Sequence, residues 1–412
     1  MPQTKYDLIV IGAGAAGIIA AIKAASDKQK VLLLEKLPKI GAKIKATGGG
    51  KCNITNTLSN DEFMSRFGKD GRFIRDALYG FDSKSLICFL SSIDVETISK
   101  DGFRIFPASH SSSSILEAFE KEIIRLNIDL KCNEAVQSLK VDQNSITNVT
   151  TQNDTYSANN FIVATGGLGY PTLGANGDGH IFATDTGHKV TTLSPAMMPL
   201  FSKETWTANC TADTIAKTTI KINLAKYKKY KATGDLIFTK KGIRGPVVLD
   251  FAREITPLLE KYDEVPVLIN LVQGKNEEQI RIRIKEELSK QVHLNTLELL
   301  QTFIPISLAA EISKQAGIDN MKTFNKLSGI QRDQIIKLLI AMPLSIIGHD
   351  GFKMAMITRG GVSLKQIDPK TMKSKIVDNL YFCGEVMDID GPCGGFNLQW
   401  SFSSGYLAGQ LK

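Results

Sequence analysis

A Gly-x-Gly-x-x-Gly turn directly after an apolar run, Asp7-Leu8-Ile9-Val10-Ile11-Gly12-Ala13-Gly14-Ala15-Ala16-Gly17, restricts what this chain can build at its start. Lys5 to Ile11 and Lys30 to Leu34 are apolar and β-compatible, and the helix-compatible Ala15 to Ala25 lies between them. Together they predict a βαβ unit with parallel strands and a right-handed crossover. Gly12 permits a tight turn, Gly14 lets a pyrophosphate approach the backbone, and Gly17 lets the helix pack closely on the strand. The free amides of Ala15 and Ala16 at the helix start then attract phosphate. Glu35 ends the second strand, beside Lys36, where its carboxylate can accept hydrogen bonds from ribose hydroxyls.

The motif accounts for only part of the chain. At 412 residues the protein exceeds a single core, and 43% apolar with 22% charged residues is an ordinary globular composition. No apolar stretch is long enough to span a membrane, and the glycines interrupt the apolar start, so neither a transmembrane segment nor a signal peptide is expected. Cys52, Cys88, Cys132, Cys210, Cys383 and Cys393 form no Cys-x-x-Cys pair and no metal-ligand grouping with histidine. A reducing cytoplasm without structural metal is the expectation. The net charge is +8, densest from Lys217 to Lys231. This basic run is read as a solvated strand or loop edge rather than a nucleic-acid or membrane patch.

The pattern changes along the chain. Residues 1–193 alternate strands and helices, closing with a β-meander over Ala135 to Thr165 that includes Val136 among the predicted cofactor contacts. Residues 194–275 are β-rich, and 276–347 carry apolar residues at helical spacing, such as Ile280, Ile284 and Leu288. Residues 348–372 return to β pattern, and 373–412 re-enter the first sheet through Leu380-Tyr381-Phe382. The expected architecture is therefore α/β with an insertion.

Three further motifs choose between NAD and FAD, which share the first glycine turn. Ala164-Thr165-Gly166-Gly167 follows the meander's closing strand, as in two-dinucleotide-binding-domain flavoproteins. Gly384-Glu385 ends a late strand, where the acid can bond a ribityl chain. Gly394-Gly395-Phe396-Asn397-Leu398 opens a terminal helix whose positive end would face the N1/O2 edge of an isoalloxazine. A fourth segment holds Lys43, Thr47, Gly48, Gly49, Gly50, Lys51, Cys52 and Asn53. Its glycines open the backbone to a flat ring or phosphates, its lysines add positive charge, and Asn53 offers donors to ring carbonyls. FAD is the predicted cofactor.

These residues carry a resemblance across nearly the whole chain. Gly48-Gly49-Gly50-Lys51-Cys52-Asn53-Ile54-Thr55-Asn56, Gly102-Phe103-Arg104-Ile105-Phe106-Pro107, Gly177-Asp178-Gly179-His180, Gly234-Asp235-Leu236-Ile237-Phe238-Thr239, Thr358-Arg359-Gly360-Gly361-Val362 and the segment Gly384 to Gln399 resemble the bacterial aminoacetone oxidase/BaiN-like NAD(P)/FAD-dependent oxidoreductases. Lys51 stands where that family usually has arginine, and Phe396 where tyrosine is common. The resemblance implies a discontinuous Rossmann-like FAD-binding domain with an inserted β-barrel-like substrate domain, itself carrying a small helical module.

The implied activity is hydride transfer between flavin N5 and a small organic substrate, with either oxygen or NAD(P)H as electron partner. Amine oxidation and reduction of an unsaturated or carbonyl compound both remain open. Thr358, Arg359 and Cys52 are the candidates for a catalytic part: Arg359 as a clamp for an anionic or carbonyl group, Cys52 as a redox thiol or simply a buried apolar residue. His110 belongs to a helix start rather than to a Ser/His pair, and His180 is expected to position the cofactor loop. A flavin-dependent tRNA-modifying protein and a non-enzymatic flavin sensor are the alternatives; neither a nucleic-acid nor a membrane partner is expected.

Overall fold

In the computed structural model, which describes residues 5–412, the chain forms two compact units, one made of residues up to Ser194 with Ile357–Lys412 and the other of Pro195–Met356. In the first, β1 (Tyr6–Ile11) lies parallel to β2 (Val31–Leu34), with Leu8 opposite Val31 and Ile11 opposite Leu34. Leu8, Ile9 and Val10 are fully buried, as expected of a central parallel strand covered on both faces. The other flank of β1 pairs with Thr155–Val163, Ile9 facing Phe161. That strand carries the meander Val136–Asp142 and Ser145–Thr151 at its start and receives Leu380–Phe382, in parallel, at its end. The last pairing brings the chain's final segment into its first sheet.

Helix α1 (Ala15–Ser26) crosses from β1 to β2 and is covered by the terminal helix Phe396–Ala408. A Cβ at Gly405 would lie 2.2 Å from the Ala16 carbonyl oxygen, and one at Gly409 would lie 2.5 Å from that of Ala20. The two helices therefore touch backbone to backbone. Because 16 faces 405 and 20 faces 409, they run in the same sense.

The second unit is a closed antiparallel barrel, ordered Leu200–Ser202, Gly242–Arg244, Lys231–Thr239, Thr214–Ile222, Val265–Asn270 and Met342–His349. Alternate residues fill it: Val265, Val267 and Ile269 from one strand and Met342, Leu344 and Ile346 from its neighbour are buried. The helix Pro246–Leu259 packs Val247, Val248, Phe251 and Ile255 into the same core.

Between the last two barrel strands lie the helices Glu277–Lys290, Thr296–Gln301, Ile306–Gln315 and Gly329–Ile340. The first, second and fourth begin with capping boxes, Asn276 with Gln279, Asn295 with Glu298 and Ser328 with Gln331. Helical periodicity was expected to run to residue 347, but 342–347 belong to a strand. Its apolar residues recur at every second position and close the barrel. The late β pattern of 348–372 contains only the short strand Ile357–Arg359 after a turn at Gly351–Lys353.

Candidate cofactor site

All the elements described next belong to the first unit. At the end of β1 the chain turns through Gly12 (φ +102°), where a Cβ would meet the Ala164 carbonyl oxygen at 2.8 Å. A Cβ at Gly17 would sit 1.9 Å from the Gly12 carbonyl oxygen, so only glycine lets α1 start this close to the strand. Gly14 differs: a Cβ there would meet nothing within 4 Å. It faces open space in front of a helix N-terminus with no side-chain cap and no acid in its first turn. Such a terminus leaves backbone N–H groups and a positive dipole end free for an anion.

Glu35 is buried, and its two carboxylate oxygens accept from the amides of Ala13 (2.8 Å) and Leu37 (2.9 Å). It grips the glycine turn and the chain beyond β2 together. Lys36 next to it pairs with Asp178 at 2.7 Å, tying β2 to the helix Asp178–Asp185. Ala164, Thr165 and Gly166 follow the strand adjacent to β1. The Thr165 hydroxyl is buried and has no hydrogen-bond partner within the protein.

The terminal helix supplies a second uncapped N-terminus. Gly395 precedes it with φ +85°, and a Cβ there would meet the Thr55 carbonyl at 2.5 Å. Asn53, with its amide oriented to satisfy both ends, accepts from the Gly395 amide at 3.1 Å and donates to the carbonyl oxygens of Thr55 and Ile105. Asn56 donates to the Gly394 carbonyl oxygen at 3.0 Å, and Asn397 bridges Gly391 and Pro392. Asn53, expected to face ring carbonyls, is thus committed to holding the helix start. Phe396 is buried against Phe63, Phe67 and Phe103. Since Gly405 lies abreast of Ala16, the terminal helix begins nine residues, about 13 Å, beyond the start of α1. A diphosphate and a ring joined by a ribityl chain span a gap of this order.

Between these two ends sits Glu385. One of its oxygens receives the Lys43 ammonium at 2.6 Å, and the other accepts from the Thr358 amide at 2.8 Å. The Thr358 hydroxyl in turn accepts from the amides of Leu168 and Gly169, so Thr358 is buried and spent on backbone contacts. A Cβ at Gly167 would meet that hydroxyl at 2.3 Å. Arg359 is half-buried and within electrostatic reach of Asp70.

The loop Thr47–Gly50 turns left-handed at Gly48 and Gly49, leaving Gly48, Gly49 and Lys51 exposed. Cys52, also left-handed (φ +56°), is fully buried, and burial pushes its thiol up to about 12. Burial likewise pulls His180 below the ordinary histidine value, and neither of its ring nitrogens has a partner of hydrogen-bond geometry. Val136 is half-buried at the start of the meander, opposite Thr151.

The brace made by Asn53 and Asn56 was not anticipated, nor was the approach of Gly405 and Gly409. Asn56 stood inside the quoted Gly48-to-Asn56 motif. The two glycines, four residues apart on one helix face, were a signal of close helix packing left unread.

Residues 6–411 match the family model described as HI0933-like protein Rossmann domain. Over 97% of both chains, the sequence is 31% identical to the 3-dehydro-bile acid delta(4,6)-reductase of Clostridium scindens. It is 29% identical to the ribosomal RNA dihydrouridine synthase of Haemophilus influenzae, across 97% of this chain and 96% of that protein. Among solved structures, the 3-ketosteroid delta1-dehydrogenase of Sterolibacterium denitrificans superposes with a TM-score of 0.54 at 13% identity, covering 98% of this chain and 99% of the other. That likeness is one of fold. With an RNA-acting enzyme among the full-length relatives, the expectation of no nucleic-acid partner loses its support. No described helix is long and apolar enough to cross a membrane.

Proposed function

The chain belongs to the HI0933-like Rossmann family as an FAD-dependent oxidoreductase, and from that premise we propose that it reduces a carbon–carbon double bond conjugated to a carbonyl group. The two full-length relatives act on unlike molecules, a bile acid and ribosomal RNA. Their reactions nevertheless share one chemistry. A 3-oxo steroid alkene and the C5–C6 bond of uracil are both electron-poor alkenes, open to hydride at the β-carbon while negative charge develops on the carbonyl oxygen. Amine oxidation, the other reading of the sequence, gains nothing from these two relatives.

The observation that carries the reading is the pair of uncapped helix N-termini offset by about 13 Å. The amides of Ala15 and Ala16, with Gly14 in front, hold the diphosphate, and Glu35 and Lys36 border the adjoining ribose. Val136, Ala164, Thr165 and Gly166 line the route between, the Thr165 hydroxyl finding its missing partner there. Lys43 and Glu385 border the ribityl chain. Thr47 to Cys52, with Gly394 to Leu398, surround the ring, and the helix dipole at Gly395 stabilises negative charge on it. The bound flavin supplies a hydride from N5, and NAD(P)H replenishes it.

Arg359 is assigned to the substrate carbonyl, where a guanidinium compensates the charge that grows on oxygen. Thr358, bonded to backbone on both sides, positions Arg359 and Glu385. Cys52 is kept as a neutral thiol and passes no electrons. The test is a steady-state assay with NADH or NADPH and either a 3-oxo-4-ene steroid or a uridine-containing RNA. The reading expects nicotinamide oxidation coupled to a product two hydrogens heavier. Turnover of a primary amine with oxygen, and of neither alkene, would overturn it.

A further inference from the structure

We propose that the barrel hairpin formed by Thr214–Ile222 and Lys231–Thr239 is the surface on which this protein receives the sugar-phosphate backbone of a structured RNA. Between residues 203 and 244 ten lysines and arginines meet only Glu204, Asp213 and Asp235, so this stretch carries nearly all of the chain's +8. Lys217, Lys221, Lys226, Lys228, Lys229, Lys231, Lys240, Lys241 and Arg244 are all exposed. Among the described residues, none of these nine is in an ion pair, although Lys203 just before them pairs with Glu264 at 2.6 Å. Cations left uncompensated at this density attract a polyanion.

The strand register gives an independent sign. Lys221 and Lys231 are directly opposed across the two strands. Like charges in that position destabilise a sheet, and the cross-strand threonine pair beside them, Thr219 with Thr233 at 3.0 Å, is what stability alone would favour. A fold that keeps Lys221 opposite Lys231, with three more lysines in the connecting loop, retains repulsion that a bound phosphate backbone would relieve.

The aromatic residues favour RNA over an anionic membrane. Tyr227 and Tyr230 interleave with the lysines, their ring centroids 6.3 Å apart and Lys229 lying over the Tyr230 ring. Half-buried tyrosines between cations offer faces for unpaired bases. A membrane-docking loop instead projects large apolar side chains, and no large apolar side chain of this hairpin is exposed.

The inference rests on the proposed reduction only in taking the target to be a conjugated double bond of an RNA base. It is tested apart from that reaction. The full-length holoenzyme is titrated against a fluorescein-labelled uridine-rich stem-loop RNA by anisotropy over a series of salt concentrations. The comparison variants are K226Q/K228Q/K229Q/K231Q and a charge-matched control, K285Q/K314Q/K322Q/K326Q, taken from exposed positions of the helical module. The hairpin variant should bind at least tenfold more weakly, and its log–log salt slope should fall by about 3, one unit per lost phosphate contact. The control should lose far less. Lys221→Gln should weaken RNA binding while its thermal midpoint stays level or rises, a combination that mere damage to the barrel does not produce. NADPH-dependent reduction of a 3-oxo-4-ene steroid, followed in parallel, reads the chemistry separately. Equal loss in both quadruple variants would overturn the proposal, as would a hairpin variant that binds like wild type. So would wild-type binding to phosphatidylglycerol vesicles with none to the RNA.

Discussion

Lys43 and Glu385 lie 342 residues apart in the chain and meet at 2.6 Å, joining the short helix after β2 to the turn after the last strand of the same sheet. Their contact closes the first unit around the path assigned to the ribityl chain. Both side chains are partly exposed, so the pair adds little to folding itself. Lys43→Met should therefore leave thermal stability of the cofactor-free protein within about 1 kcal/mol of wild type. It should weaken FAD retention about tenfold, or ~1.4 kcal/mol. Dialysis against increasing salt, followed by flavin absorbance, measures it.

Gly405→Val is expected to do the reverse. Valine would gain helix propensity over glycine by a fraction of a kcal/mol, but its Cβ would stand 2.2 Å from the Ala16 carbonyl oxygen, a backbone atom that cannot step aside. Overpacking of this kind costs about 2–3 kcal/mol. Because α1 and the terminal helix would be pushed apart, FAD content should fall with stability. Chemical denaturation and flavin stoichiometry on the same preparation check both.

How much of this was legible in the sequence depended on the range of the interaction. Gly12, Gly14, Gly17 and Glu35 announce a nucleotide turn because its geometry is met within one βαβ unit, and Gly395 announces a helix start for the same local reason. The strand Met342–His349 was hidden because its partners, Val265–Asn270 and Leu200–Ser202, are separated from it by whole helices or by much of the barrel. Two-residue spacing in Met342, Leu344 and Ile346 was the trace it left. Asn53 could be read as a polar group beside the flavin. Its commitment to Gly395 could not, since nothing in residue spacing ties position 53 to position 395.

Arg359→Ala should lower kcat about 100-fold, ~2.7 kcal/mol in the barrier, while FAD content stays near wild type. Arg359→Lys should recover part of that loss, a point charge replacing the planar fork. Stopped-flow reduction of the flavin by NADPH should be unaffected in both variants, since the guanidinium is assigned to the substrate half of the cycle. Slowed flavin reduction would move Arg359 to the nicotinamide instead.

Cys52 predicts an alkaline signature. Burial raises its thiol from 9.0 to about 12, so in that interval the unfolded chain has lost the proton that the folded chain keeps. Stability then falls as pH rises, by about 1.4 kcal/mol per pH unit for this group. The wild-type advantage over Cys52→Ala should accordingly shrink above pH 9 and be constant below it, read from urea denaturation at several pH values. In the native state the thiol should resist alkylation at neutral pH, and Cys52→Ala should keep its turnover.

The central claim concerns the fate of the hydride, and a single anaerobic half-reaction reads it most directly. The holoenzyme is reduced with one equivalent of NADPH in the absence of oxygen and then mixed with a 3-oxo-4-ene steroid or, separately, with the uridine-rich stem-loop RNA. The account predicts that one of them restores the oxidised flavin spectrum within the time of turnover and leaves a product saturated at the conjugated double bond. A flavin that stays reduced with both, but is reoxidised at once by oxygen and reduced again by a primary amine, would contradict it.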